Sequence, residues 1–190
     1  MRRAVTDEDK DVRRDVILRA AKRVFADHGF HATKMAAVAR AAGVSYGTVY
    51  SYFASKEALF HAVMDAEADA LRTQVLAGAL ADPAAAIRQA FEHLEADPAA
   101  TRVLFGDPAG GSDEFGRHLR DITDRFVDDI AEMIGEAQRQ GLVIDAPPRL
   151  VASAIVGLIG HLALQGEERG SGQATADFVI RLLFDGLRRR

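Results

Sequence analysis

The 190-residue chain contains no cysteine, no tryptophan and only five prolines. Without cysteine there can be no disulfide, thiolate metal site or cysteine nucleophile. Few prolines and ordinary charge argue against extended disorder, and 48 % hydrophobic residues supply a core. A long apolar run is also missing. The longest, Leu150 to Leu164, has 15 residues and is interrupted by His161, whereas a membrane span needs about 20. The start, MRRAVTDEDKD, lacks the apolar stretch of a secretory signal. These absences predict a soluble cytoplasmic protein with no membrane association.

Net charge is −4, but it is unevenly distributed. Residues 1–60 carry 11 Lys/Arg against 7 Asp/Glu, a net of +4, and the remainder carries the compensating −8. A polyanion would attract the first part and repel the second, which would orient the molecule on nucleic acid.

Apolar residues recur at three- and four-residue steps almost throughout, so an all-α fold of about nine helices is expected. Val12, Val16, Ile17, Ala20, Ala21, Val24 and Phe25 mark the first helix, with Gly29 at its end. Thr33 is a candidate cap for the second, Ser45 for the third and Ser55 for the fourth. Pro83 and Pro98 open the next two. GDPAGGSDE at 106–114 reads as a loop, and a long amphipathic helix follows from about Phe115 to Gln140. The last two helices are expected at about 149–165 and 173–188. No flexible linker separates Val63 from Leu76, so the fourth helix should join an N-terminal module, 1–60, to a larger one, 61–190.

The most specific stretch is TKMAAVARAAGVSYGTVYSYFASK, Thr33 to Lys56. It reads as two short helices joined by a tight turn. Ala39 and Ala42 let the backbones approach, and Gly43 permits the positive φ of the turn. This is a helix-turn-helix whose recognition helix, about 45–51, would enter the major groove. Tyr46, Thr48, Tyr50 and Ser51 face outward by helical phase. Tyr46 and Thr48 are candidates for base readout. Thr33, Lys34, Ser45, Tyr50, Tyr52 and Lys56 form a candidate phosphate clamp, aided by helix N-termini. Tyr50 alternatively closes the small core, and Lys34 or Lys56 is alternatively a solvated surface charge. Arg40, and Arg2, Arg3, Lys10, Arg13 and Arg14 as an arm, could add attraction.

Residues 12–64 resemble the DNA-binding domain of the TetR/AcrR family of bacterial regulators. The resemblance is carried by Phe25, Gly29, Phe30, Thr33, Val38, Ala39, Ala42, Gly43, Val44, Ser45, Gly47, Tyr50, Tyr52, Phe53, Lys56 and Leu59. Ala32 stands where a hydroxyl residue is common, and Tyr52 where histidine is common. The resemblance implies a three-helix DNA-binding bundle joined to a larger helical ligand-binding and dimerisation domain. It implies a homodimer on a palindromic double-stranded operator, usually as a repressor released by a small effector, with a four-helix dimer interface near the C-terminus. An activator of the same fold, or a helical adaptor that does not bind DNA, are the alternatives.

The last two helices are apolar over more than one stripe, so one stripe can pack internally and another across a two-fold axis. Ile155, Leu158, Ile159, Leu162, Phe178, Val179, Leu182 and Leu183 are the candidate interface. Gly157 and Gly160 would allow close approach there. A small apolar or amphipathic effector would be lined by Phe91, Leu94, Phe105, Phe115, Leu119, Phe126, Ile155 and His161, although core packing explains the aromatic residues equally well. GDPAGG lacks the lysine and hydroxyl ending of a phosphate-binding loop, and no nucleophile elbow or zinc-protease motif occurs. An enzyme is not expected, nor a metal or cofactor.

Overall fold

The computed structural model describes residues 7–105, 113–143, 145–165 and 171–185. Arg2, Arg3 and most of the expected 106–114 loop lie outside them. The described residues form nine α-helices: α1 (Asp7–Ala32), α2 (Met35–Ala42), α3 (Tyr46–Tyr52), α4 (Lys56–Leu76), α5 (Pro83–Ala96), α6 (Pro98–Phe105), α7 (Asp113–Arg139), α8 (Pro148–Leu164) and α9 (Gly172–Phe184). None of the described helices is long and apolar enough to cross a membrane.

Local chemistry explains where most of them start. Ser55, Asp82 and Ser171 accept hydrogen bonds from the amides of Ala58, Ala85 and Ala174 at the N-termini of α4, α5 and α9. Pro83 follows its cap directly, where its missing N–H is no loss. Asp97 ends α5 and accepts from Ala100 N–H in the first turn of α6 (2.9 Å). Gly29 breaks the regular helix of α1, as expected from its position. It bends the helix at φ 73°, and one further turn carries Phe30 inward. Thr33 does not cap α2: the cap position is Lys34, whose side chain makes no capping bond.

The N-terminal boundary at residue 60 falls inside α4. That helix contributes Leu59, Phe60, Val63, Met64, Ala68 and Leu71 to one hydrophobic cluster. The cluster runs from Ile17 and Phe25 of α1, through Val38 and Val49 of the helix-turn-helix, to Leu94, Val103, Phe115 and Ile122. Its centre is aromatic. Phe60 meets Phe25 and Phe30 with ring centroids 4.9 and 5.3 Å apart, and Phe115 of α7 meets Phe30 at 4.5 Å and Phe60 at 5.2 Å. All but the Phe25–Phe30 pair are edge-on, the arrangement that ring quadrupoles favour.

A second tie is ionic. Lys22 of α1 reaches Glu67 of α4 (2.9 Å) and Asp97 at the α5–α6 junction (2.6 Å). Burial pushes the Lys22 ammonium down, but its bonds to Asp97 and Glu67 outweigh that and hold it above its ordinary value. On the other side of α4, Arg72 pairs with Asp129 and Asp65 with Arg125 (2.9 Å), both on α7. A smaller cluster of Ile87, Phe91, Ala176 and Val179 holds α5 to α9.

Truncating Phe115 to alanine removes the ring that α7 contributes to this shared core. The expected loss is about 3–5 kcal/mol, read from urea denaturation of the full chain.

Candidate DNA interface

Gly43 closes α2 in the left-handed region, φ 66° and ψ 30°. Its N–H reaches the Arg40 carbonyl (3.2 Å), and Val44 N–H reaches that of Ala39 (3.0 Å). An L-residue there costs roughly 1–2 kcal/mol. The sharp turn brings Ser45 to the start of α3, where its hydroxyl accepts from Thr48 N–H (3.0 Å) and bonds the Thr48 hydroxyl (2.8 Å). In α3 only Val49 is buried, and it anchors the helix to the core. Tyr46, Gly47, Tyr50 and Ser51 are exposed, Thr48 and Tyr52 half-buried.

Tyr46 and Tyr50, 54 % and 41 % exposed, lie one turn apart with ring centroids at 4.9 Å. The Tyr46 hydroxyl donates to that of Tyr50 (3.3 Å). That bond, foremost, raises the Tyr50 phenol above its ordinary value, so Tyr50 stays neutral at physiological pH. Lys34, at the cap position of α2, and Arg40, within it, are exposed. The whole of α3 carries no acidic side chain. Ser51 donates to the Thr48 carbonyl (2.7 Å), and the Tyr52 ring packs against the core.

Two members of the expected phosphate clamp are engaged elsewhere. Thr33 is 3 % exposed, and its hydroxyl donates to the Gly29 carbonyl (2.7 Å) and, more distantly, to that of Val24 (3.4 Å). Lys56 turns inward. Its ammonium donates to the carbonyls of Phe30 (2.9 Å), His31 (3.3 Å) and Thr33 (3.2 Å), and sits 4.3 Å from the Phe30 ring centroid. Three N–H groups meet three carbonyls at the end of α1, where helical carbonyls lack partners. Lys56 is therefore the staple between the end of α1 and the start of α4. Its position at a helix start suggested anion binding. The competing acceptors come from residues 23 to 26 positions earlier, which local pattern does not reveal.

Residues 17–63 match the sequence profile of the bacterial regulatory proteins, tetR family. That stretch is a TetR-type DNA-binding domain. Over 131 residues, 66 % of its length, it is 29 % identical to the HTH-type transcriptional activator FasR of Mycolicibacterium smegmatis, of which the match spans 60 %. It is 44 % identical over 48 residues to the HTH-type transcriptional regulator UidR of Escherichia coli (strain K12), spanning 25 % of this chain and 24 % of that one. The matched stretch thus spans less than two thirds of either relative. The fold is similar to that of the fatty acid degradation regulator FadR from Bacillus halodurans, with a TM-score of 0.81 at 22 % identity, covering 93 % of this chain and 97 % of that one. It is also similar to FadR from Bacillus subtilis in complex with stearoyl-CoA, with a TM-score of 0.78 at 20 % identity, covering 92 % and 99 %.

Beyond the TetR-family DNA-binding domain, several expected placements change. Leu94 and Phe115 are buried in the main core, on which Phe105, Leu119 and Phe126 pack half-buried, and Phe91 is buried in the smaller α5–α9 cluster. His161 does not enter the interior. It is exposed on α8, with Nε2 3.4 Å from the Gln165 amide nitrogen. A surface groove of about 390 Å³ opens between the end of α4 and α7, lined by Arg72, Leu76, Leu80, Asp129, Glu132, Met133, Glu136 and Arg139. It shares no residue with the expected effector set.

Of the expected interface, Val179 is fully buried against α5 and cannot face a partner. Gly160 is also internal: a Cβ there would come within 3.1 Å of Phe105, so its small size serves packing of α6 on α8. Ile155, Leu158, Ile159, Leu162 and Leu182 are half-buried, while Phe178 and Leu183 are exposed. Leu150, Ala154, Gly157, His161 and Leu164 make an exposed stripe on α8, and Leu150, Leu164, Phe178, Leu183 and Phe184 are the large apolar residues exposed on α8 and α9.

Lys56→Ala leaves up to three carbonyls without their donor. The expected cost is about 1–3 kcal/mol in thermal or urea unfolding. With the ammonium engaged by backbone carbonyls, the salt slope of DNA binding should stay unchanged.

Proposed function

We propose that this protein is a cytoplasmic transcriptional regulator of the TetR family that binds a palindromic double-stranded operator as a homodimer and represses until a small effector releases it. The observation that carries DNA binding is α3: capped by Ser45, held to the core by Val49 and half-buried Tyr52, and presenting exposed Tyr46, Tyr50 and Ser51 without a negative charge. In this reading Tyr46 and Thr48 meet base edges. Lys34, Tyr50 and the exposed α3 N-terminus around Ser45 position the phosphates, with Arg40 adjoining and Ser51 and Tyr52 at the margin. The net charge of +4 over residues 1–60, against −8 beyond, favours approach by this end.

Dimerisation is supported by the exposed apolar stripe of α8 and α9. Leu150, Leu164, Phe178, Leu183 and Phe184 are large side chains left in water by the single chain. A two-fold axis through that face would cover them and set two α3 helices to read two half-sites, roughly 34 Å apart. Repression follows if the dimer occludes a promoter. Activation would use the same groove contacts, and FasR is described as an activator.

The effector is proposed to be small and amphipathic or apolar. A solved FadR of similar fold contains stearoyl-CoA, so a long-chain acyl thioester is the first ligand to test. Release requires the effector to favour a different orientation of α4, the helix shared by both halves.

Selection of duplexes from a randomised pool, followed by fluorescence anisotropy, tests this reading. A palindromic consensus is expected. Lys34→Ala should weaken binding to all sequences and lower the salt slope by about 1, whereas Tyr46→Ala should change the recovered consensus. Failure to enrich any sequence would overturn the DNA-binding reading. Phe178→Glu should yield monomers in sedimentation equilibrium and abolish operator binding. A monomeric native chain would refute the dimer.

A further inference from the structure

The joint between α4 and α7 holds a pair of histidines that DNA reading does not use. The imidazoles of His61 and His118 are stacked, with centroids 4.3 Å apart and planes 22° from parallel. His61 also abuts Phe115, centroid to centroid at 5.1 Å. Phe115 in turn touches Phe30 and Phe60. Phe30 lies in the last turn of α1, under the Lys56 ammonium and three residues before Thr33. A continuous line of rings therefore runs from the sensor-side helix α7 to the entrance of the helix-turn-helix.

Neither ring is well served in this arrangement. The Nε2 atoms of both His61 and His118 are shielded from water without an aligned hydrogen bond. His118 Nε2 lies 3.2 Å from Asp65 Oδ1, within ion-pair reach, but Asp65 already accepts from Arg125 at 2.9 Å. The other charges acting on His61 are Glu57 on its own helix and Glu114 on α7. From α1 the stack is approached through the apolar ring of Phe30, by way of Phe115.

We propose that the stacked His61–His118 pair, wedged between α4 and α7 against Phe115, is a proton-sensitive joint that resets the DNA-reading domain on acidification. This rests on the DNA-binding function proposed above and adds an input to it. A proton on either ring places a cation against its stacked neighbour, and a second proton would oppose two like charges. An opened joint would relieve this by exposing His61 to water and aligning His118 with Asp65.

The sign follows from His61. Burial, and then His118, depress its basicity below the ordinary value of 6.5, against the opposing pull of Glu114, Asp65 and Glu57. The closed joint thus binds fewer protons than an open one. Its stabilisation is complete above pH 6.5 and is lost as pH falls through 6.5 towards the depressed value. Because α4 is continuous from Lys56 to Leu76, opening against α7 moves the helix that carries the DNA-binding core.

The test uses the full chain, a duplex recovered from a randomised pool at pH 7.5, and the double variant His61→Phe/His118→Phe, which keeps stacked rings without titration. Operator affinity of the native protein should change by at least ~5-fold between pH 7.5 and 5.5 relative to the double variant. The variant controls for other histidines, including exposed His28 and His31. By proton NMR the His61 ring should titrate below 6.5, and its midpoint should rise in His118→Gln. Equal pH responses in the two proteins would overturn the proposal, as would an ordinary His61 midpoint unmoved by His118→Gln. If no duplex is enriched, the DNA-binding reading fails separately. Amide exchange then judges the joint: faster exchange along α4 and α7 at pH 5.5 in the native chain alone supports it, and equal exchange overturns it.

Discussion

The structure hangs on α4, because one helix supplies core to two modules at once. Leu59 and Phe60 complete the helix-turn-helix domain, while the next turns, from Val63 through Leu71, continue into the larger bundle. The Phe25–Phe30–Phe60–Phe115 cluster lies across the division. Each buried ring contributes on the order of 1.5–3 kcal/mol of apolar burial. Edge-on contacts add direction to that burial, so the relative placement of α1, α4 and α7 is specified and not merely favourable. In the proposed regulator, a domain attached this way would transmit a shift in the larger bundle, whereas a flexible linker would dissipate it.

Polar groups reinforce that constraint at the places where helix ends would otherwise be unsatisfied. Lys56 collects the final carbonyls around the end of α1, and Thr33 returns its hydroxyl to the Gly29 carbonyl. Both side chains belong to the geometry of the DNA-binding domain, their polar groups bonded within it. The groups left facing outward, Tyr46, Tyr50, Lys34 and Arg40, sit on a frame already braced from within. Precision in the outer residues depends on the inward ones, since a recognition helix is useful only if its angle to the body is fixed. Lys22, bridging Glu67 and Asp97, performs a similar bracing between α1 and the larger bundle.

Much of this was legible from residues. Apolar periodicity placed the helices, and Pro83 and Pro98 marked helix starts to the residue. Gly43 located the turn through its conformational freedom, and Ser45 and Ser55 act as the expected caps. Long-range partners were not legible. Nothing local distinguishes a lysine that binds phosphate from one that staples carbonyls more than twenty positions away. The apolar faces of α8 and α9 posed the same difficulty. Val179 and Gly160 face inward, whereas His161 and Phe178 face out, and an almost wholly apolar helix gives periodicity little contrast from which to choose.

An all-helical chain with a helix-turn-helix follows from local pattern, because periodicity, caps and a glycine turn act over a few residues. Tertiary structure alone decided that Lys56 faces carbonyls, that Phe115 joins the core of the DNA-binding domain, and that His61 meets His118. Those pairings join residues far apart in sequence. They arise from how helices pack, a choice settled by the burial and hydrogen bonding of the whole molecule.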